Sequence, residues 1–385
     1  MRLIHTADWH LGRIFHGVHL TEDQGWVLDQ LVKLVGESKV DAVLVAGDVY
    51  DRAVPPPEAV GLLDDVLSRL VLDCKVPVVV IAGNHDSPER LGFGSRLMAG
   101  EGLHVVGSLT ADPAEIVLQD EHGPVHIYAL PYAEPALVRE RFGREDVRDH
   151  QAAVQAMVDA VSAKRPSGAR SILMGHAFVV GGEASESERP LSVGGAGTVE
   201  AAVLTGFNYA ALGHLHCPQS VAEKEDIQYS GSLLKYSFSE ADHAKSVTLV
   251  DIDAEGGCKI ERTALTPRRN VRAVEGLLDD VLKGPQNGES PDDYLLVTLL
   301  DRQPILDAIG KLRAVYPNVL QIERPQFAAV GEPRAAAEDY RRMGDAELFE
   351  AFFKEVTGEP IDDPQREAYV AIVEELHRQQ REVAG

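Results

Sequence analysis

The chain has 385 residues, of which 44% are hydrophobic and 25% charged, and its formal net charge is −24. That composition excludes fibrous and disordered classes, and the length calls for one large domain with one or two smaller ones. The acidity excludes bulk electrostatic capture of nucleic acid, so any DNA contact has to be local. The opening residues carry no secretory pattern and no apolar run reaches membrane-spanning length, which predicts a cytoplasmic chain with no membrane partner. Cys74, Cys217 and Cys258 lack CxxC spacing and read as free thiols.

In chain order, apolar β-rich runs fall at 2–6, 41–45 and 76–82, with helical patterns at 24–37 and 58–72 between them. Further strand-like runs follow at 125–130, 171–174, 209–212 and 246–252. The spacing predicts an α/β fold; where no long helix separates two strands, part of the sheet system is expected to be antiparallel. After 266 the pattern changes to TPRRNVRAV, a polar loop at 284–293, a strand at 294–300 and a helix at 304–317. That suffices for a small α+β unit. Two amphipathic segments end the chain: one aligns Leu348, Phe349, Phe352, Phe353 and Val356. The other, with Asp363 as N-cap and Pro364 at the first helical position, stacks Tyr369, Ile372, Val373 and Leu376. The expected organisation is 1–265, 266–330 and 331–385.

Five apolar runs end in polar clusters: HTADWH, AGDVYD, AGNHD, MGH and LGHLH. Taken singly, Asp or Asn beside Gly commonly starts a turn. In an open α/β sheet, however, ligands gather at the carboxyl ends of strands, so these clusters converge on one site. The candidates are Asp8, His10, Asp48, Asn84, His176, His214 and His216. Carboxylate, amide and imidazole donors without cysteine suit divalent ions, Mn²⁺ foremost and Zn²⁺ or Fe²⁺ also compatible. Two such ions can bind a phosphate, activate water and offset charge on the leaving oxygen. Gly47, Gly83, Gly175 and Gly213 each precede a candidate ligand, where a chain turning out of a strand benefits from lacking a Cβ.

The order DxH, GDxxD, GNHD, GH, GHxH resembles the calcineurin-like metallophosphoesterase superfamily. Within it, MRLIHTADWHLGR, VDAVLVAGDVYD, VVVIAGNHDSPERL and YSGSLLKYSFSEADHAKSVTLVDID are similar to the bacterial SbcD family of nuclease subunits. The resemblance implies a four-layer fold of two mixed β-sheets flanked by helices, with an accessory α+β domain and C-terminal helices. It implies two metals, one on Asp8, His10 and His216, the other on Asn84, His176 and His214, with Asp48 bridging. His85 then faces the scissile phosphate as general acid or transition-state stabiliser, and Asp86 is placed to orient its ring, although Asp86 can equally be a helix N-cap. Asp51, where many relatives carry His, and His16 are candidate DNA-side groups. The resemblance further implies exonuclease action from the 3′ end of duplex DNA and endonuclease cutting at hairpins or ends. Its implied assembly is a homodimer within a heterotetramer with an SbcC-like coiled-coil ATPase, a separate chain since no GxxxxGK[ST] loop occurs here.

Arg268, Arg269 and Arg272 form the basic cluster of an acidic chain, read either as a solvated loop or as a DNA-backbone contact. His5, inside a strand, is expected to be a packed, hydrogen-bonded histidine. The C-terminal aromatic stripe is either core or a dock for the ATPase. Two alternatives share the ligand set or the tail: a small-molecule or cyclic-nucleotide phosphodiesterase, and a scaffold that anchors an ATPase without catalysis.

Overall fold

The computed structural model describes residues 1–188, 191, 197–222, 224–286 and 288–325, then 349–350, 353–354, 357–366, 368–369 and 372. Leu348, Phe352, Val356, Val373 and Leu376 lie outside the described residues. The chain forms two compact units, 1–272 and 273–385.

The first unit holds two six-stranded sheets. One runs Cys258–Ala264, Ser246–Ile252, Arg2–Thr6, Ala42–Ala46, Val78–Ile81, Leu103–Val106. Its last four strands are parallel and the two at the other edge antiparallel. The other runs Gln219–Val221, Lys224–Tyr229, Tyr209–Gly213, Arg170–His176, Gly123–Ala129, Ala114–Asp120, with four parallel strands inside two antiparallel edges. Parallel strands covered on both faces read as continuous apolar runs, which is why these elements stand out in the sequence.

Alternation explains the layers. Leu3, Leu44, Ala46, Val79 and Ile81 of one sheet pack against Ile127, Ile172, Met174 and Ala211 of the other, forming the core between sheets. Ile4, Val43, Val45, Val78 and Val80 point the other way and are equally buried; helices Thr21–Ser38 and Pro57–Ser68, with Val27, Leu28, Leu31 and Val66 buried, cover that side. The outer face of the second sheet, Tyr128, Leu173, Ala210 and Leu212, packs on Ala153, Met157 and Val161 of helix His150–Ser162. The predicted helix at 58–72 ends at Ser68 and continues as a wider turn, Arg69–Asp73.

His5 ties the sheets together as expected: its Nδ1 is 2.8 Å from the Tyr209 hydroxyl and its Nε2 3.1 Å from the Leu212 carbonyl oxygen. Burial drives its pKa down to about 3, so it is a neutral strut.

The second unit is built on strands Val271–Gly276, Tyr294–Leu299 and Val319–Glu323. Leu278, Val281, Leu295, Val297, Leu312 and Tyr316 form its own core. Further along, Asp362 rather than Asp363 caps the helical turn that follows. Its carboxylate accepts the Gln365 N–H, and the Gln365 side chain accepts the Asp362 N–H in return. Phe349 stacks on Tyr369 at 3.9 Å and lies 6.1 Å from Phe353, while Ile372 is exposed.

Candidate metal centre

The carboxyl ends of five strands from both sheets meet at one place. Asp8 and His10 follow Arg2–Thr6, Asp48 follows Ala42–Ala46, and Asn84 and His85 follow Val78–Ile81. His176 ends its strand, and His214 and His216 follow Tyr209–Gly213. Asp8, His10 and Asp48 have φ of 52°, 45° and 49°, and His214 has φ of 110°. Left-handed backbone at non-glycine residues costs energy and gathers where the chain must aim a side chain, so this concentration marks a built site.

Asp8, His10 and His216 bring one donor atom each within 4.8 Å of one another, as do Asp8, Asp48 and His176. The Asn84 carbonyl oxygen is 2.9 Å from His176 Nε2 and 3.2 Å from His214 Nδ1. Asp48 Oδ2 stands 3.6 Å from His10 Nε2 and 3.5 Å from His176 Nε2, between the two groups. Asp8 touches both groups as well, and its carboxylate accepts the His214 backbone N–H.

The donor chemistry fits divalent cations. His10 Nε2 and His216 Nε2 face each other at 3.1 Å, and His10 Nδ1 is buried without a hydrogen-bond partner. Burial pushes the Asp8 carboxyl up to about 7. Asp48 is held well below the carboxylate range because, against burial, the His176 and His10 rings outweigh it. Burial lowers His176, but Asp48 overrides it and raises the ring to about 9. Burial also takes His10 well below its usual value and His214 down to about 3. Carboxylate and imidazole groups buried this close together are the donor set a divalent cation neutralises.

Glycines make the fit possible. A Cβ on Gly47 would lie 2.4 Å from His176 Nδ1, and one on Gly213 would lie 1.9 Å from the Ala46 oxygen. The His176 ring sits in that cradle, donating Nδ1–H to the Ala46 carbonyl at 2.9 Å and leaving Nε2 for the centre. Gly175 has only ordinary contacts.

His85 is 7% exposed, with its ring 4.7 Å from that of His10. Its Nδ1 is bonded to the Asp51 carbonyl oxygen at 2.7 Å, not to Asp86. The Asp86 carboxylate instead accepts the backbone N–H groups of Val49, Tyr50 and Gly83 at 3.1, 2.9 and 2.9 Å. The expectation that Asp86 orients His85 is therefore corrected: the carboxylate turns back to satisfy three backbone donors of two adjoining loops, those of Val49 and Gly83 buried and that of Tyr50 partly so. The neighbouring helix Pro88–Leu91 is capped by Ser87.

Asp51 also pairs through Oδ1 with Arg13 at 2.9 Å. The Arg13 guanidinium lies 5.4 Å over the Tyr236 ring. His16 is exposed on the Ile14–Phe15/Val18–His19 hairpin, its ring 5.2 Å from Phe238. The arginine cluster has an intramolecular use. Arg268 pairs with Glu22 at 2.7 Å and Arg269 with the buried Asp23 at 3.1 Å, fastening 266–272 to helix Thr21–Ser38. Arg268 and Arg269 thus each have a carboxylate partner within the chain.

Two groups missed in the sequence support the centre. Gln24, fully buried, donates its amide N–H groups to the carbonyls of Trp9 and His10 and accepts the Gly12 N–H, fixing the first loop. The signal was a glutamine on the apolar face of an amphipathic helix. Glu188 accepts the His216 backbone N–H at 2.8 Å; an acid in a polar loop gave no signal.

Residues 1–218 match the calcineurin-like phosphoesterase model, and 267–357 match the SbcD_C model, described as the type 5 capsule protein repressor C-terminal domain. Among solved structures, TT1561 of Thermus thermophilus aligns at 15% identity with a TM-score of 0.41, covering 69% of this chain and 99% of its own. A dimetal phosphatase from Danio rerio, LOC 393393, aligns at 13% identity with a TM-score of 0.40, covering 69% and 96%.

Proposed function

The chain belongs to the calcineurin-like phosphoesterase family of metal-dependent hydrolases, and from that premise we propose that it is the nuclease subunit of an SbcCD-type complex, hydrolysing DNA phosphodiester bonds. The observation that carries the reading is one chain uniting the seven-residue donor centre with a C-terminal region that matches the SbcD_C model.

Asp8, His10 and His216 would hold one cation and Asn84, His176 and His214 the other, with Asp48 between them. Bound Mn²⁺ would grip the phosphate, activate the attacking water and neutralise charge on the leaving oxygen. His85 gives its Nδ1 hydrogen to an oxygen that only accepts, so Nε2 is the ring atom left for the substrate; with the ring doubly protonated, Nε2–H would pass its proton to the departing sugar oxygen and leave the neutral Nδ1–H imidazole. Asp51, held by Arg13, keeps that ring aimed through its backbone carbonyl.

The partners follow from the same reading: duplex DNA at ends and hairpins, a coiled-coil ATPase, and a second copy of this chain. The aromatic cluster of Phe349, Phe353 and Tyr369 supports docking of the ATPase. An apolar groove of about 580 Å³ lined by Val60, Leu67, Leu72 and Phe93, with Phe93 and Leu97 each 85% exposed, supports self-association.

The test is degradation of linear duplex DNA with Mn²⁺. The wild type should digest it and His85→Ala should be slower by about 10²- to 10⁴-fold. Intact DNA with the metal-loaded wild type, alone and with its ATPase, sinks the proposal. Cleavage of bis(p-nitrophenyl) phosphate under those conditions would then favour a small-molecule phosphodiesterase.

A further inference from the structure

The stretch 229–253 carries much of the sequence resemblance yet supplies no expected ligand. In the fold it brings a buried ion pair behind His216. Glu240 is fully buried and Lys245 is 6% exposed, with Lys245 Nζ 2.5 Å from Glu240 Oε2. Lys245 also donates to the His216 carbonyl at 2.7 Å and to Ser232 Oγ at 2.9 Å. Glu240 Oε1 accepts the Ser187 hydroxyl at 2.5 Å and the Tyr236 N–H at 3.1 Å. Ser187 Oγ lies 2.6 Å from His216 Nδ1.

A buried ion pair is a poor source of stability, because desolvation offsets its attraction and an apolar pair of the same volume does as well. Its placement points to another use, and the hydrogen count shows what that is. The Glu240 carboxylate, paired with Lys245, can only accept, and a serine hydroxyl has one hydrogen to give. That hydrogen goes to Glu240, so Ser187 Oγ must accept from His216, and Nδ1 carries the ring hydrogen. His216 Nε2 is then bare, and it is the atom that faces His10 Nε2 at 3.1 Å.

The geometry assigns to Ser187, held by Glu240 and Lys245, the role of a positioning residue that fixes His216 in the Nδ1–H form and aims its Nε2 at the metal centre. This deepens the metal-centre reading and does not depend on DNA being the substrate. Partner groups of this kind typically tune metal affinity by about 10- to 100-fold.

The direct test is ¹⁵N NMR of the metal-free protein with labelled histidine, together with Mn²⁺ titration by calorimetry. In the wild type, His216 should show a protonated Nδ1 and an unprotonated Nε2; the opposite tautomer overturns the assignment without any variant. Ser187→Ala leaves the ion pair in place; it should weaken one of the two Mn²⁺ sites by about 10- to 100-fold and shift the His216 signals. Ser187→Thr, which keeps the hydroxyl, should restore both. Wild-type affinity at both sites in Ser187→Ala overturns the proposal. A wild type that binds two Mn²⁺ but leaves DNA intact would refute the nuclease reading while leaving this assignment standing.

Discussion

Replacing Asp86 by Asn separates a structural strut from a partner of His85. Oδ2 accepts the Val49 and Gly83 N–H groups and Oδ1 the Tyr50 N–H. An amide that keeps its oxygen at the Oδ2 position presents an NH₂ to the Tyr50 donor, leaving that partly buried N–H unsatisfied and weakening two buried charge-assisted bonds. One such loss costs about 2–3 kcal/mol, a sizeable part of typical domain stability. For a unit of 272 residues that corresponds to a Tm lower by roughly 4–6 °C. Calorimetry of the metal-free protein measures it, and kcat at saturating Mn²⁺ should stay within about threefold of wild type. Unchanged Tm with kcat reduced as severely as in His85→Ala would refute the reasoning and return Asp86 to the ring.

Gly213→Ala places a Cβ 1.9 Å from the Ala46 oxygen and 2.8 Å from His176 Nδ1. Bound Mn²⁺ per chain should fall from two towards one with far-UV circular dichroism unchanged; full occupancy would contradict the cradle. His5 is pushed down to about 3 from 6.5, so below pH 6.5 the unfolded chain takes up a proton that the folded chain refuses. Its contribution is complete above pH 6.5 and is lost at about 1.4 kcal/mol per pH unit on acidification, roughly 2 kcal/mol by pH 5. Urea titrations at pH 7 and 5 should show His5→Gln losing less stability than wild type by that amount; identical losses would contradict it. Phe93→Glu with Leu97→Glu should convert a dimer to a monomer in light scattering, and an unchanged mass would place self-association elsewhere.

The strands that carry the centre were legible because each is an apolar run that ends abruptly in a polar residue, four of the five through a Gly, as Ala42–Ala46 does before Gly47 and Asp48. His5 was legible too, since an imidazole inside such a strand has to find partners. Asp86 misled because adjacency to His85 is visible in a sequence, whereas three backbone donors from folded loops are not. Ser187 was hidden for a related reason: it lies 29 residues before His216 and 53 before Glu240, and only the fold brings them together. The carboxylate partners of Arg268 and Arg269 were hidden as well, because Glu22 and Asp23 lie 246 residues earlier.

The most direct measurement of the central claim is an anomalous difference map from crystals grown with Mn²⁺. Two peaks are predicted, roughly 3.5–4 Å apart, one beside Asp8, His10 and His216 and the other beside Asn84, His176 and His214, with Asp48 between them. A single peak, or ions held outside these seven residues, would contradict it.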